Sequence, residues 1–277
     1  VALARTAFAK LNLALHVRGR RADGYHEIET LFAFCEDGDR VTVAAADSLT
    51  LSVEGPFGQG LGGDDNLVLR AARALRPASG EGAAILLDKR LPVAAGLGGG
   101  SADAATTMLL LRVLWPIDME ESAFAELALT LGADVPACLR SALCRGEGVG
   151  ERLVPIASTG VRGTPVLLIN PGVALSTAAV FAGWDGIDRG PLATGDPLAA
   201  AHAGRNDLTG PAIALQPEIA TVLAALGDQA GASLVRMSGS GATCFALFQD
   251  EGSRDRAAAR IGADHPDWWT LSTRLRG

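Results

Sequence analysis

The sequence predicts an α+β protein of two domains. Three observations carry this reading. The first half holds strand-like runs whose lengths and Gly/Asp-rich breaks suggest antiparallel neighbours, followed by helix-like runs. The segment Ala157 to Thr164 bears Gly, Ser and Thr and reads as a linker. Beyond it the pattern becomes strand-helix-strand-strand-helix-strand, which suggests a ferredoxin-like unit. The expected domains are 1–156 and 157–277, a size that 277 residues readily support.

Leu11, Leu13, Leu15 and Val17 alternate with Asn12, Ala14 and His16, the period of a half-buried strand. Lys10 and Asn12 share the other face. They read either as a solvent-facing edge or as polar groups set there for chemistry. Arg18 to His26 is a loop with a turn at Asp23-Gly24. Tyr25, the only tyrosine, and His26 are suited to a planar ligand, or are ordinary loop residues. Strands are expected over Ile28 to Cys35, Arg40 to Ala44 and Leu49 to Val53. Asp65 or Asn66 then caps a helix from Leu67 to Leu75, which stops before Pro77.

A strand at Ala83 to Leu87 leads into Leu91-Pro92-Val93-Ala94-Ala95-Gly96-Leu97-Gly98-Gly99-Gly100-Ser101-Ala102-Asp103, and a helix runs on to Trp115. Glycines let the backbone approach a ligand closely. Ser101 is the expected N-cap and Asp103 a first-turn acid. Free N–H groups and the positive helix end make such a loop a phosphate cradle. The plainer alternative is a flexible loop before a buried helix. The loop is neither a Walker loop, since no Gly-Lys-Ser/Thr follows, nor a dinucleotide fingerprint, since Ser101 replaces the third glycine.

Glu120 to Leu131 reads as a helix stopped by Gly132. Asp134, in Gly132-Ala133-Asp134-Val135-Pro136, is a turn residue or a carboxylate held for proton transfer. Pro165 to Asn170 is a strand and Ser176 to Phe181 a short helix. Gly183 to Arg205 is expected to be irregular. Pro217 to Leu226 is a helix, and Ser238-Gly239-Ser240-Gly241-Ala242 is a small-residue hairpin between strands Ser233 to Arg236 and Cys244 to Phe248. It is a plain tight turn or a close approach to another loop. A helix at Ser253 to Ile261 and a strand at Trp268 to Ser272 close the chain.

A net charge of −7 argues against a broad nucleic-acid or membrane-surface footprint. The four cysteines, Cys35, Cys138, Cys144 and Cys244, form no C-x-x-C pair and read as separate thiols. No signal-peptide pattern or membrane span is read, so a cytoplasmic location is expected, with no nucleic-acid, membrane or obligate protein partner.

Three motifs in one order, Ala9-Lys10-Leu11-Asn12-Leu13, Leu91 to Ala105 and Ser238 to Ala242, resemble the GHMP kinase superfamily. The resemblance implies a ribosomal S5-like N-terminal domain, a ferredoxin-like C-terminal domain, and ATP with Mg²⁺. Asp23-Gly24-Tyr25-His26, Gly132 to Pro136 and Pro171-Gly172 narrow it to a member that phosphorylates a cytidyl diphosphate alcohol in non-mevalonate isoprenoid synthesis.

By that resemblance Asp134 is the catalytic aspartate and Lys10 its partner. Pro92 to Ala102 bind ATP, with Gly96 to Ser101 holding its phosphates and Ser101 reaching the metal, and Asn66 lies near adenine. Asn12, Tyr25, His26 and Phe181 meet the acceptor, Phe181 by stacking on cytosine. Two departures stand out. Ala94 and Ala95 replace glycines of many relatives, and Asp103 replaces an asparagine of some. Relatives that act on homoserine or mevalonate are the alternative, as is a non-catalytic nucleotide-binding regulator.

Overall fold

The computed structural model describes residues 2–78 and 80–277. Its elements run β1 (Leu3–Arg20), β2 (His26–Ala46), β3 (Thr50–Glu54), α1 (Leu67–Leu75), β4 (Gly82–Asp88), α2 (Gly99–Leu114), α3 (Glu121–Leu131), α4 (Val135–Arg140), β5 (Cys144–Gly148) and β6 (Arg152–Pro155). Then follow β7 (Pro165–Asn170), α5 (Thr177–Ala182), α6 (Pro197–Ala203), α7 (Thr209–Leu215), α8 (Glu218–Gly227), β8 (Ala232–Met237), β9 (Cys244–Phe248), α9 (Glu251–Asp264) and β10 (Trp269–Arg274). Two compact units emerge. One combines the start of β1 as far as Ala9 with Asp37–Val93 and Gly98–Ser141; the other combines Lys10–Glu36, Ala94–Leu97 and Ala142–Gly277. These units are discontinuous in sequence, whereas the boundary expected after residue 156 is a single cut.

In the first unit the C-terminal half of β2 pairs antiparallel with β4, Val41 opposite Leu87 and Val43 opposite Ile85. Strand β3 pairs parallel with the other edge of β4. A parallel neighbour requires a crossover, and α1 supplies it. Helix α1 packs on α2, and α2 on α4. Val41, Val43, Ile85, Leu87, Val68, Ala72, Met108 and Leu111 are buried. Asn66 caps α1, accepting from the Val68 N–H at 2.8 Å.

The second unit has two sheets. The N-terminal half of β2 pairs with β5, and β5 with β6, all antiparallel. The other sheet has the order β10-β7-β9-β8, antiparallel throughout. That is the ferredoxin-like order expected from the strand-helix-strand-strand-helix-strand pattern. Helices α8 and α9 pack on this sheet, and Leu167, Ile169, Ile219, Val222, Phe248 and Ile261 belong to one core.

The structure departs from the sequence reading in several places, among them β1, which runs on to Arg20 where a loop was expected and is buried on both faces from Ala9 to Val17. Strand β2 runs unbroken through Glu36-Asp37-Gly38-Asp39, where a break was expected. A Cβ at Gly38 would lie 1.9 Å from the Ala7 oxygen, so the glycine marks a close approach of backbone and not a turn. Helix α2 begins before Ser101: its N-cap is Gly98, left-handed at φ 62°, and Ser101 is the third helical residue. Asp103 consequently lies beyond the first turn and is buried. Within the excursion expected to be irregular, α6 forms from Pro197, with Asp196 accepting from the Ala199 N–H at 2.8 Å. Asp at the cap and Pro at the first helical position are a start signal that the weak periodicity of the surrounding segment obscured.

Candidate active site

The second unit draws three separated segments into one hydrogen-bonded cluster. The backbone N–H of Lys10 donates to the Leu97 oxygen at 2.9 Å, and that of Thr243 to the Ala95 oxygen at 3.1 Å. Ser238 Oγ donates to the Gly96 oxygen at 2.9 Å and accepts from the Asn12 N–H at 3.3 Å. Segment 94–97 is thus held from one side by β1 and from the other by the hairpin after β8. Contact is so close that a Cβ on Gly96 would lie 2.3 Å from the Ser238 oxygen. The hairpin is therefore the close approach to another loop that its small residues allowed. Asn206, just past the stretch expected to be irregular, holds the hairpin by donating to the Met237 and Gly239 oxygens, each at 2.8 Å.

Lys10 and Asn12 are 4% and 2% exposed, which removes the solvent-facing alternative. Burial of a lysine needs partners. Its ammonium donates to Asn12 Oδ1 at 3.1 Å and sits 4.8 Å from the centre of the Phe32 ring. Asn12 Nδ2 donates to Thr30 Oγ1 at 2.8 Å, and Thr30 donates on to the Ala14 oxygen at 2.7 Å. The relay orients the Asn12 amide, so its oxygen faces the lysine. Thr30 and Phe32 escape sequence reading because they look like ordinary strand residues.

The aromatic residues separate by role. Tyr25 is 64% exposed, whereas His26 is buried and its ring centre is 5.1 Å from that of Phe181. Trp184, unmarked by any motif, packs edge-on to His26 at 5.7 Å. Burial, and then the charge of Arg20, lowers the His26 pKa, so the ring is neutral near pH 7. Beside these residues lies an open cavity of about 350 Å³ lined by Arg18, Gly19, Arg20, Trp184, Asp185 and Gly186.

Within the first unit, the chain enters α2 at Gly98. With Gly98 at the cap, the first intrahelical bond is from the Ala102 N–H to the Gly98 oxygen at 2.9 Å. The N–H groups of Gly99, Gly100 and Ser101 lack intrahelical acceptors by helix geometry. A Cβ on Gly100 would meet nothing within 4 Å, so there is room at the helix end for an anion. Asp103 does not face that space as a free charge, because Lys89 Nζ donates to its Oδ2 at 2.7 Å. Burial drives the Asp103 carboxyl up from the ordinary range, with the ammonium of Lys89 pulling the other way. Burial likewise works to lower Lys89, but the two carboxylates beside it leave it raised. Asp134 stands at the cap position of α4 in helical conformation, and its carboxylate makes no capping bond. Asn66 uses both side-chain ends locally, its amide nitrogen donating to the Leu61 oxygen at 2.7 Å.

The chain belongs to the GHMP kinase family: residues 66–142 match the model of the GHMP kinases N terminal domain and 191–267 that of the GHMP kinases C terminal domain. It is 58% identical over 275 residues to a 4-diphosphocytidyl-2-C-methyl-D-erythritol kinase of Rhizorhabdus wittichii, covering 98% of this chain and 94% of that one. A protein of the same description from Sphingopyxis alaskensis is 50% identical, with 98% of each chain covered. Among solved structures, a 4-(cytidine 5'-diphospho)-2C-methyl-D-erythritol kinase superposes with a TM-score of 0.81 at 37% identity, over 99% of this chain and 100% of that one. Homoserine kinase from Cytophaga hutchinsonii, at 16% identity and a TM-score of 0.67, shares the fold.

Proposed function

We infer that this protein is the kinase that uses ATP to phosphorylate the 2-hydroxyl of 4-diphosphocytidyl-2-C-methyl-D-erythritol in non-mevalonate isoprenoid precursor synthesis. The observation that carries it is the hydrogen-bonded cluster of Lys10-Asn12, segment 94–97 and Ser238-Thr243. Those are the motifs that carry the resemblance to the superfamily, and relatives matched over nearly the whole chain are described as this kinase.

Phosphoryl transfer asks the protein for positioning and charge stabilisation more than for covalent chemistry. ATP supplies the transferable phosphoryl group. Its phosphates would be held by the amides of Gly96 to Ser101, within the wider stretch Pro92 to Ala102, and its adenine would lie near Asn66. We assign Asp134 to accept the proton of the 2-hydroxyl and Lys10 to stabilise the alkoxide that results. Asn12 orients the Lys10 ammonium through the bond already described. Tyr25 and Phe181 would stack on the cytosine, and neutral His26 would hydrogen-bond the acceptor.

Mg²⁺ would neutralise phosphate charge, with the Ser101 hydroxyl as its protein ligand. Among the described residues no three His, Cys, Asp or Glu side chains gather as ligands. A sparse donor set suits Mg²⁺, which keeps several waters and binds mainly through substrate phosphates. A cytoplasmic location is part of this proposal, supported by four buried cysteines that form no disulfide among the described residues.

ATP consumption with Mg²⁺ tests the reading directly. Turnover is expected with the cytidyl substrate and not with homoserine or mevalonate. Turnover with a small alcohol alone would discard the aromatic assignment, and tight ATP binding without any turnover would favour a nucleotide-binding regulator.

A further inference from the structure

Three ionisable side chains are sealed within the first unit: Asp39, Lys89 and Asp103 are 0%, 3% and 2% exposed. Lys89 Nζ donates to Asp39 Oδ2 at 2.5 Å and to Asp103 Oδ2 at 2.7 Å. The other oxygen of Asp39 accepts the backbone N–H groups of Arg90 at 2.6 Å and Leu91 at 2.8 Å. Asp103 Oδ1 is buried and has no hydrogen-bond partner. Such a cluster is a poor way to gain stability. Desolvation offsets most of the Coulombic gain, and apolar side chains of like volume commonly do as well or better. Its position offers another use.

Lys89 to Leu91 is where β4 runs out into the glycine-rich loop, and Asp103 lies on the helix where the loop ends. A Cβ on Gly99 would lie 3.0 Å from Lys89 Nζ, so the lysine passes directly against the first helical residue. One ammonium therefore ties the entry of the loop, through Asp39, to its exit, through Asp103. Binding by backbone amides depends on such fixing, because amides held in place pay no ordering cost when the ligand arrives.

We infer that Asp39, Lys89 and Asp103 are positioning residues for the phosphates of ATP: they clamp the two roots of the loop spanning Pro92 to Gly98 and so set the geometry of its amides. The inference rests on the reading of that loop as the ATP site. None of the three side chains is assigned to touch the nucleotide.

The test uses Lys89→Met, Asp103→Leu and Asp103→Asn in the full chain. It measures KM for ATP, KM for the acceptor alcohol, kcat, and the Kd of a non-hydrolysable ATP analogue. Lys89→Met and Asp103→Leu are expected to weaken analogue binding and raise the ATP KM roughly tenfold or more, as loss of positioning does. The acceptor KM should stay within about twofold, the ordinary scatter of a remote change. Asp103→Asn should recover much of the lost affinity, because its amide oxygen still accepts from Lys89. Both Asp103 variants remove the charge, so their difference isolates the hydrogen bond.

Folded Lys89→Met and Asp103→Leu proteins with the wild-type analogue Kd would overturn the clamp. Activity lost only in proportion to the folded fraction, with both KM values unchanged, would equally overturn it as a merely structural feature. Should Lys89→Met fail to fold, the two Asp103 variants decide, and equal affinities for them reject the proposal. If the wild-type protein itself binds no analogue, the ATP reading fails first, which separates the two failures.

Discussion

At the residue scale, two side chains carry predictions that do not depend on one another. Replacing Asp134 by Asn keeps the size of the side chain and removes its basicity. The expected outcome is a fall in kcat of about 10² to 10⁴, the usual worth of general base catalysis, with little change in ATP affinity. Steady-state kinetics with both substrates checks it, and unchanged turnover would remove Asp134 from its role. His16 has its protonation state dictated by its neighbours. Its Nε2 accepts from the Arg205 N–H at 3.2 Å, so Nδ1 carries the proton and donates to the Gly190 oxygen at 3.1 Å. Burial, then the charge of Arg205, lowers its pKa below that of an unfolded histidine. The His16 contribution to stability is therefore complete above about pH 6.5, the unfolded value, and is lost as pH falls through the lower folded value. Denaturant unfolding at several pH values should show this loss in the wild type and a flatter profile in His16→Gln.

At the element scale, the glycine-rich loop is the part whose geometry is least forgiving. Gly96 lies at φ 75° with the Ser238 oxygen where a Cβ would go. Gly96→Ala combines a left-handed backbone with that clash. A stability loss of about 2–4 kcal/mol is expected, with weakened nucleotide binding. Calorimetry would measure both, and a protein with wild-type Tm and ATP affinity would show that the hairpin yields. Ala94 is the contrasting case. It holds φ 52° although it carries a Cβ. Ala94→Gly relieves that strain but frees the unfolded chain, so the net change is expected within about 1 kcal/mol in the stabilising direction. The start of α2 shows why this element was partly misread. Serine is the better cap on average, yet Gly98 reaches a left-handed conformation that serine adopts only at a cost.

At the scale of the whole molecule, single polar side chains stitch distant parts of the second unit together. Arg236 on β8 donates to the carbonyl oxygens of Leu13 on β1, Ala201 in α6 and Gly204 after it. Burial lowers the Arg236 pKa to about 10, so the group stays charged at neutral pH. Arg236→Leu would leave three carbonyls without their donor. At roughly 1 kcal/mol or more for each, a loss of about 3 kcal/mol is expected in denaturant unfolding. A loss below about 1 kcal/mol would mean that water replaces the guanidinium.

What the sequence determined alone is what depends on near neighbours and period. The strand at Leu11 to Val17, the cap at Asn66 and the strand order implied by the ferredoxin-like pattern are all local or topological signals and appear in the fold, although β1 is buried on both faces there and not half-buried as its alternation suggests. So is the linear order of three motifs, which was enough to indicate the family. Tertiary structure decided the rest. It placed Asp103 against Lys89 and Asp39, 14 and 64 residues away, because buried charges must find partners wherever the fold supplies them. It buried Lys10 and Asn12, whose alternation is equally consistent with a solvent-facing edge. It gave Thr30, Asn206 and Trp184 their contacts. Sequence spacing does not encode such contacts, because a side chain's partner across the fold is set by packing and not by position along the chain.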